Sequence, residues 1–261
     1  MRKEENFYIN NFDYINSVII NNSELIQIKE HIINIFFELT EINIKNNEFI
    51  LINDPNDSKN IGFPKLIEIS EPLIIGTCVL PIKRDWVQFI FQFSHELTHY
   101  IIKCYYKKNK FKYLHWFEET ICETMSLFVL KKIYENWSSI GLSNTNKDYD
   151  NIINNYLNKL LIKNGSDLKK CMNIIDLSNN IENIFINTYL GYKHERPIRN
   201  DEINILYNIF IENQNLINIL FNYTEYIQDN GLLIDFDIWI KKNNEYKYFL
   251  DLVKVIQPDV V

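Results

Sequence analysis

The sequence predicts an α+β fold: a small N-terminal mixed α/β lobe with a short sheet, followed by a mainly helical lobe. Two patterns carry this expectation. Between residues 48 and 84, short apolar and partly β-branched runs alternate with turn residues, which is how strands are punctuated. From Asp85 onward, apolar residues recur at the spacing of amphipathic helices. Residues 1–261 are expected to form one unit, with residues 1–110 as the N-terminal lobe and residues 111–261 as the helical lobe.

Taken in order, Ser23 begins a helix expected to reach about Thr40. Leu25, Ile26, Ile28, Ile32, Ile33, Phe36 and Phe37 make one broad apolar face on it. Phe49-Ile50-Leu51-Ile52 stops at Asn53-Asp54-Pro55, and Leu66-Ile67-Glu68-Ile69 stops before Pro72. Ile74 to Ile82 supplies a third strand. Asp85 is a good N-cap for a helix reaching about Tyr106, because its carboxylate can accept from the first free backbone N–H groups. After a Lys-rich connector, a second helix is expected from near Trp116 to about Trp137. Further helices are expected at 148–163, 167–186 and 200–227, with Ser166-Asp167 and Asn200-Asp201-Glu202 as capping residues for the last two.

Hydrophobic residues make up 46% of the chain and aromatics 14%, ample for a packed interior and far from the disordered class. Asn (37), Ile (45) and Lys (23) dominate and alanine is absent, so Ile stands in at helical positions where the best helix former would sit. The formal net charge is -7 with only four arginines, and no basic stripe is interleaved with aromatics. No nucleic-acid partner is expected. Lys107, Lys108, Lys110 and Lys112 read as a solvated loop. No run of 18 apolar residues is present, so no membrane partner is expected. Residues Met1 to Tyr8 lack the pattern of a secretory signal, and the cysteines at 78, 104, 122 and 171 form no C-x-x-C pair. These features suit reduced thiols and a cytoplasmic location, with export by a route without a cleaved signal as the alternative.

The chemistry concentrates in Ser94-His95-Glu96-Leu97-Thr98-His99-Tyr100. Histidines four apart share one helix face, so both imidazoles can reach a single ion. Glu96 lies one step around from His95, where its carboxylate reaches a water on the metal without being a ligand. The competing view is two ordinary histidines on a core helix. Two imidazoles leave a zinc site short of a protein ligand, and the next helix offers Glu118, Glu119 and Glu123. Glu119 falls 20 positions after His99. Roughly 10 Å of helix beyond His99 and 5–7 Å back along an antiparallel partner bring Glu119 to the metal's height. Glu123, one turn further along, could accept a hydrogen bond from a liganding imidazole, as carboxylates beside zinc sites do. Glu118 points about 100° away and reads as solvated or capping. Glu119 is the preferred third ligand, with Glu123 and Glu118 as alternatives.

His-Glu-Leu-Thr-His, followed by Glu119 and then by an acidic residue four later, resembles the gluzincin metallopeptidases, the thermolysin-like branch of the zincins. The likeness covers residues 74–126. By position it implies one zinc per chain held by His95, His99 and Glu119, with Glu96 as general base and Glu123 orienting the first histidine. Where the family usually has Asp, this chain has the longer Glu123. The likeness also implies a zincin-like fold, with an edge strand before the active helix that pairs with substrate backbone. Ile75-Gly76-Thr77-Cys78-Val79-Leu80 is the candidate, an ordinary buried strand being the alternative. Gluzincins further place a His or Tyr from the helical lobe against the developing oxyanion. His194, 95 residues past His99 and beside Glu195, is the candidate for that catalytic role, and a surface histidine in a polar loop is the alternative. His31 and His115 read as structural, and Tyr105, Tyr106 and Tyr113 as further donors.

The expected function is therefore zinc-dependent hydrolysis of a peptide or protein substrate. A di-iron bundle would need a second E-x-x-H, which the chain lacks. A zincin-fold binding or sensor module with a structural zinc is the non-enzymatic alternative. The sequence specifies neither the cleavage specificity nor the oligomeric state.

Overall fold

The computed structural model describes residues 22–40, 42, 49–53, 65–70, 73–79, 85–105, 114–162, 200–228 and 234–243. Helix α1 spans Ser23–Thr40, the bounds expected from the sequence. The Asn22 side-chain oxygen accepts from the N–H groups of Glu24 (2.9 Å) and Leu25 (3.1 Å), satisfying two of the donors a helix start leaves open. Leu25, Ile28, Ile32, Ile33 and Phe36 are buried, whereas Phe37 is exposed, so the apolar stripe is narrower than the sequence suggested.

Three strands follow: β1 (Phe49–Asn53), β2 (Lys65–Ser70) and β3 (Leu73–Val79). Their order is β1-β3-β2. β3 runs parallel to β1 and antiparallel to β2, with Ile50 and Ile67 both paired to Gly76. β3 is thus the middle strand, and both of its backbone edges are taken over Ile75–Cys78. The stretch expected to present a free edge to substrate has none along this length, because a strand paired on both sides has no unpaired ladder left to offer.

Helix α2 (Trp86–Tyr105) starts where Asp85 predicts. The Asp85 carbonyl accepts from Phe89 N–H (3.2 Å) and its carboxylate from Gln88 N–H (3.4 Å). Helix α3 (His115–Glu135) leads through two 3₁₀ turns, Trp137–Ser139 and Gly141–Asn144, to α4 (Tyr149–Leu161). The helix expected over 200–227 is divided. α5 (Asn200–Glu212) and α6 (Asn215–Phe221) are separated at Asn213 and Gln214, and a 3₁₀ turn (Tyr223–Tyr226) and α7 (Phe236–Asn243) follow. The helix expected over 167–186 lies outside the described residues.

The expected α+β, zincin-like class is corrected by these elements. The described chain is mainly helical, with helices of up to 21 residues against strands of five to seven. Its described core lies on helices, 3₁₀ turns and their connections. An α+β layer needs a sheet face against which helices pack. The three short strands add little to the described chain, and the helical periodicity after Asp85 sets the bulk of the fold.

The chain divides into two compact units, Met1–Tyr100 with Val129–Asn154 and Ile101–Phe128 with Asn155–Val261. In the first, an aromatic trio anchors the start of α2. Trp86 lies 4.8 Å from Tyr149 and 6.1 Å from Trp137 between ring centroids, and Trp137 lies 5.4 Å from Tyr149. The Trp137 indole N–H donates to the Asn146 carbonyl at 2.9 Å, so its polar edge is satisfied while its face is buried. In the second unit, Phe117 meets Tyr223 (5.1 Å) and Trp239 (6.5 Å) edge-on, Trp239 stacks on Tyr226 (5.4 Å), and Phe128 meets Phe210 (6.2 Å). Among the described residues no helix is long and apolar enough to cross a membrane.

Candidate metal centre

The face of α2 explains how two histidines are held on it. Phe89, Phe93, Leu97 and Ile101, at intervals of four, are fully buried and fix the helix's rotation. Ser94 and Thr98 are also buried, and the Thr98 hydroxyl donates to the Ser94 carbonyl at 2.7 Å, returning its polar group to the helix backbone. His95 and His99 are left half-buried, and Glu96 is 7% exposed.

The Nε2 atoms of His95 and His99 lie 3.3 Å apart, with ring centroids 5.0 Å apart and planes inclined by 69°. Two Zn–N bonds of about 2.0–2.1 Å meeting at a tetrahedral angle separate their nitrogens by about 3.3–3.4 Å. The imidazole pair therefore fits the bite of a zinc ion. The same separation also suits a long N–H···N contact between one donor and one acceptor ring. A metal would need an unprotonated nitrogen on each ring, whereas the N–H···N contact needs one only on the acceptor ring.

Helix α3 carries the other candidate groups. Residues 120–130 are all buried, so this helix is covered on every side and its polar side chains must bond locally. Thr124 donates to the Thr120 carbonyl at 2.7 Å and Ser126 to the Cys122 carbonyl at 2.9 Å. Glu119 is half-buried, Glu123 is 8% exposed and Cys122 is fully buried and forms no disulfide. Glu118 is neither solvated nor a cap, as the sequence suggested. It is 6% exposed, and its Oε2 accepts from the Tyr223 hydroxyl at 2.9 Å. A carboxylate off the amphipathic stripe can still face a neighbouring element when the helix is covered all round.

Two tyrosines that sequence reasoning did not single out thus have defined work, Tyr223 on Glu118 and Tyr149 on the start of α2. No local pattern marks them, since each acts on a residue remote in sequence and the chain has 16 tyrosines. Tyr105, expected as a donor, gives its hydroxyl to Asn218 Oδ1 at 3.1 Å. His31 is half-buried on α1, and burial holds its imidazole below the ordinary pKa of 6.5 against the opposing pull of Glu38. His115 is the first residue of α3, and His194, Tyr106 and Tyr113 lie outside the described residues. Compared with models of protein families, with curated proteins and with solved structures, the chain finds no match.

Proposed function

We propose that this chain is a zinc-dependent peptidase in which His95, His99 and Glu119 hold one metal ion and Glu96 is the general base. The observation that carries the reading is the 3.3 Å separation of the two Nε2 atoms on α2, with a mostly buried carboxylate one residue away. Zinc held there would supply a Lewis acid that polarises the peptide carbonyl and lowers the pKa of its water toward about 7. Glu96 takes a proton from the attacking water and returns it to the departing amine nitrogen as the C–N bond breaks. Its burial keeps bulk water from competing for that proton. Glu123 accepts from the outer ring nitrogen of a liganding imidazole and fixes its tautomer. His194 donates to the developing oxyanion, an assignment that rests on the gluzincin resemblance. The substrate is a peptide or protein, and four cysteines without a C-x-x-C pair suit action in the cytoplasm.

A second reading has its own observation. Cys122 counts with His95 and His99 among the candidate metal ligands. Thiolates are common ligands of structural zinc, and a fourth protein ligand beside these three would close the coordination and make the chain a binding or sensor module without hydrolysis. Metal analysis of protein purified without added metal tests the common premise. One zinc per chain is expected, lost on His95→Ala or His99→Ala, and a folded wild-type protein free of metal would overturn both readings.

A further inference from the structure

Gln92 stands on the same face of α2 as the histidine pair, one turn before His95 and Glu96. It is half-buried, and its side-chain oxygen Oε1 is buried with no hydrogen-bond partner among the described residues. An amide oxygen shut off from water without a donor destabilises the fold, and native proteins keep few such groups without a reason. The neighbouring turns of the helix narrow what the donor can be. Gln88, four residues back, is exposed, and Phe89, three back, is apolar. Glu96, four residues on, offers only acceptors when ionised. Among these neighbours His95, three residues on, alone carries a ring N–H.

The chemistry of the imidazole says when that N–H is presented. With the two Nε2 atoms 3.3 Å apart, the metal-free rings can share a hydrogen between those nitrogens. A neutral ring that donates from Nε2 has no hydrogen on Nδ1. On a metal both Nε2 lone pairs are used, so each ring carries its hydrogen on Nδ1 and needs an acceptor there. Helical side chains lean toward the N-terminus, which brings the His95 ring over the turn that holds Gln92.

We infer that Gln92 is a positioning residue for the metal centre: its Oε1 accepts from His95 Nδ1–H when the ion is bound and holds that ring with Nε2 toward the metal. The resemblance gives the first histidine to Glu123, whereas here the acceptor comes from α2 itself. The role rests on the zinc reading above, but not on which group is the third ligand. Gln92 touches neither metal nor substrate in this role and acts through His95.

Zinc affinity, measured by competition with a chromophoric chelator, and urea unfolding of the metal-free protein test it on the whole-chain wild type, Gln92→Met and Gln92→Glu. Methionine keeps the length of the side chain and removes the acceptor, whereas glutamate keeps an acceptor oxygen. Gln92→Met should bind zinc about 10–100-fold more weakly, the usual effect of losing a group that orients a ligand. Gln92→Glu should bind at least as tightly as the wild type. The metal-free Gln92→Met protein should unfold at a higher urea midpoint than the wild type, because a buried oxygen without a donor has been removed. A residue that only packs would lower affinity and stability together. Wild-type affinity in Gln92→Met, equal losses in the two variants, or a lower metal-free midpoint in Gln92→Met would each overturn the positioning role and leave the zinc reading standing. A wild-type protein that binds no zinc would overturn the zinc reading and the positioning role together. Should Gln92→Glu fail to fold, the opposite signs of affinity and stability in Gln92→Met decide alone.

Discussion

The Tyr149 hydroxyl accepts the backbone N–H of Val87 at 3.1 Å, joining two residues 62 positions apart in sequence. Val87 is the second residue of α2, and its N–H is one of the donors that an α-helix cannot satisfy within itself. Asp85 serves Gln88 and Phe89, and Tyr149 serves Val87, so side chains from two parts of the chain hold the first turn of the histidine-bearing helix. The Trp86 and Trp137 rings packed against Tyr149 keep the hydroxyl in place.

Tyr149→Phe keeps the ring packing and removes the acceptor. A loss of about 0.5–1.5 kcal/mol in chemical denaturation is expected, the usual worth of one such hydrogen bond. The pH dependence carries a second signature. Burial raises the Tyr149 pKa above 10.0, with the Asp85 carboxylate adding to the shift and hydrogen bonding with the Val87 and Trp86 backbone opposing it. A raised folded pKa means full stability below the unfolded value of 10.0 and a decline as pH rises through the folded value. Wild type should therefore lose stability more steeply than Tyr149→Phe above about pH 10. Parallel curves would show that the Tyr149 ionisation is not coupled to folding.

His31 should produce the opposite slope in the acid range. Burial lowers its folded pKa below 6.5, so stability is complete above that value and declines as pH falls through the folded pKa. His31→Gln removes the titration at similar volume. Its stability should change less than that of the wild type between pH 6.5 and the acid limit, as followed by urea midpoints at each pH. Equal slopes would mean that His31 titrates alike in the folded and unfolded chain.

How far the sequence could be read follows from these same residues. α1 and the start of α2 were legible because each has a capping side chain, Asn22 and Asp85, and a one-sided apolar stripe. α3 was harder, because residues 120–130 are buried on all sides and helical period no longer separates inside from outside. That is why Glu118, which the sequence reads as solvated or capping, lies against Tyr223, 105 positions away. The histidine pair needed only the four-residue repeat of a helix, so its separation was implicit in the motif. The middle position of β3 was not readable, because which strand stands between two others depends on pairing and not on any strand's own residues.

The base should separate cleanly from the ligands. Glu96→Gln keeps the size and polarity of the side chain and removes only its ability to take a proton. Zinc content should remain at the wild-type level while peptide hydrolysis falls by about 10²–10⁴-fold or more. Full activity in Glu96→Gln would remove the carboxylate from the reaction and favour a zinc whose work is structural.

The third ligand can be decided by the chemistry of the donor. A carboxylate is a hard oxygen donor and Cys122 offers a soft sulfur, so substitutions and metal preference should agree. With Glu119 as ligand, Glu119→Gln should weaken zinc retention strongly, because an amide oxygen carries no charge to neutralise the ion. Cys122→Ser should keep the metal, and the cobalt-substituted protein should lack the intense near-ultraviolet band of a cobalt–thiolate bond. Glu118→Gln should change little, because its partner is Tyr223. Glu123→Gln should cost less than Glu119→Gln, about 10–100-fold in affinity, as expected for a group that orients a ligand. If Glu123→Gln strips the metal and Glu119→Gln does not, the ligand lies one helical turn further along α3. If Cys122→Ser strips it and the cobalt protein shows the thiolate band, the sulfur is the ligand. Coupled with full metal loss in Cys122→Ser and no peptide cleavage by the wild type, that outcome would move this chain from peptidase to zinc-stabilised binding module.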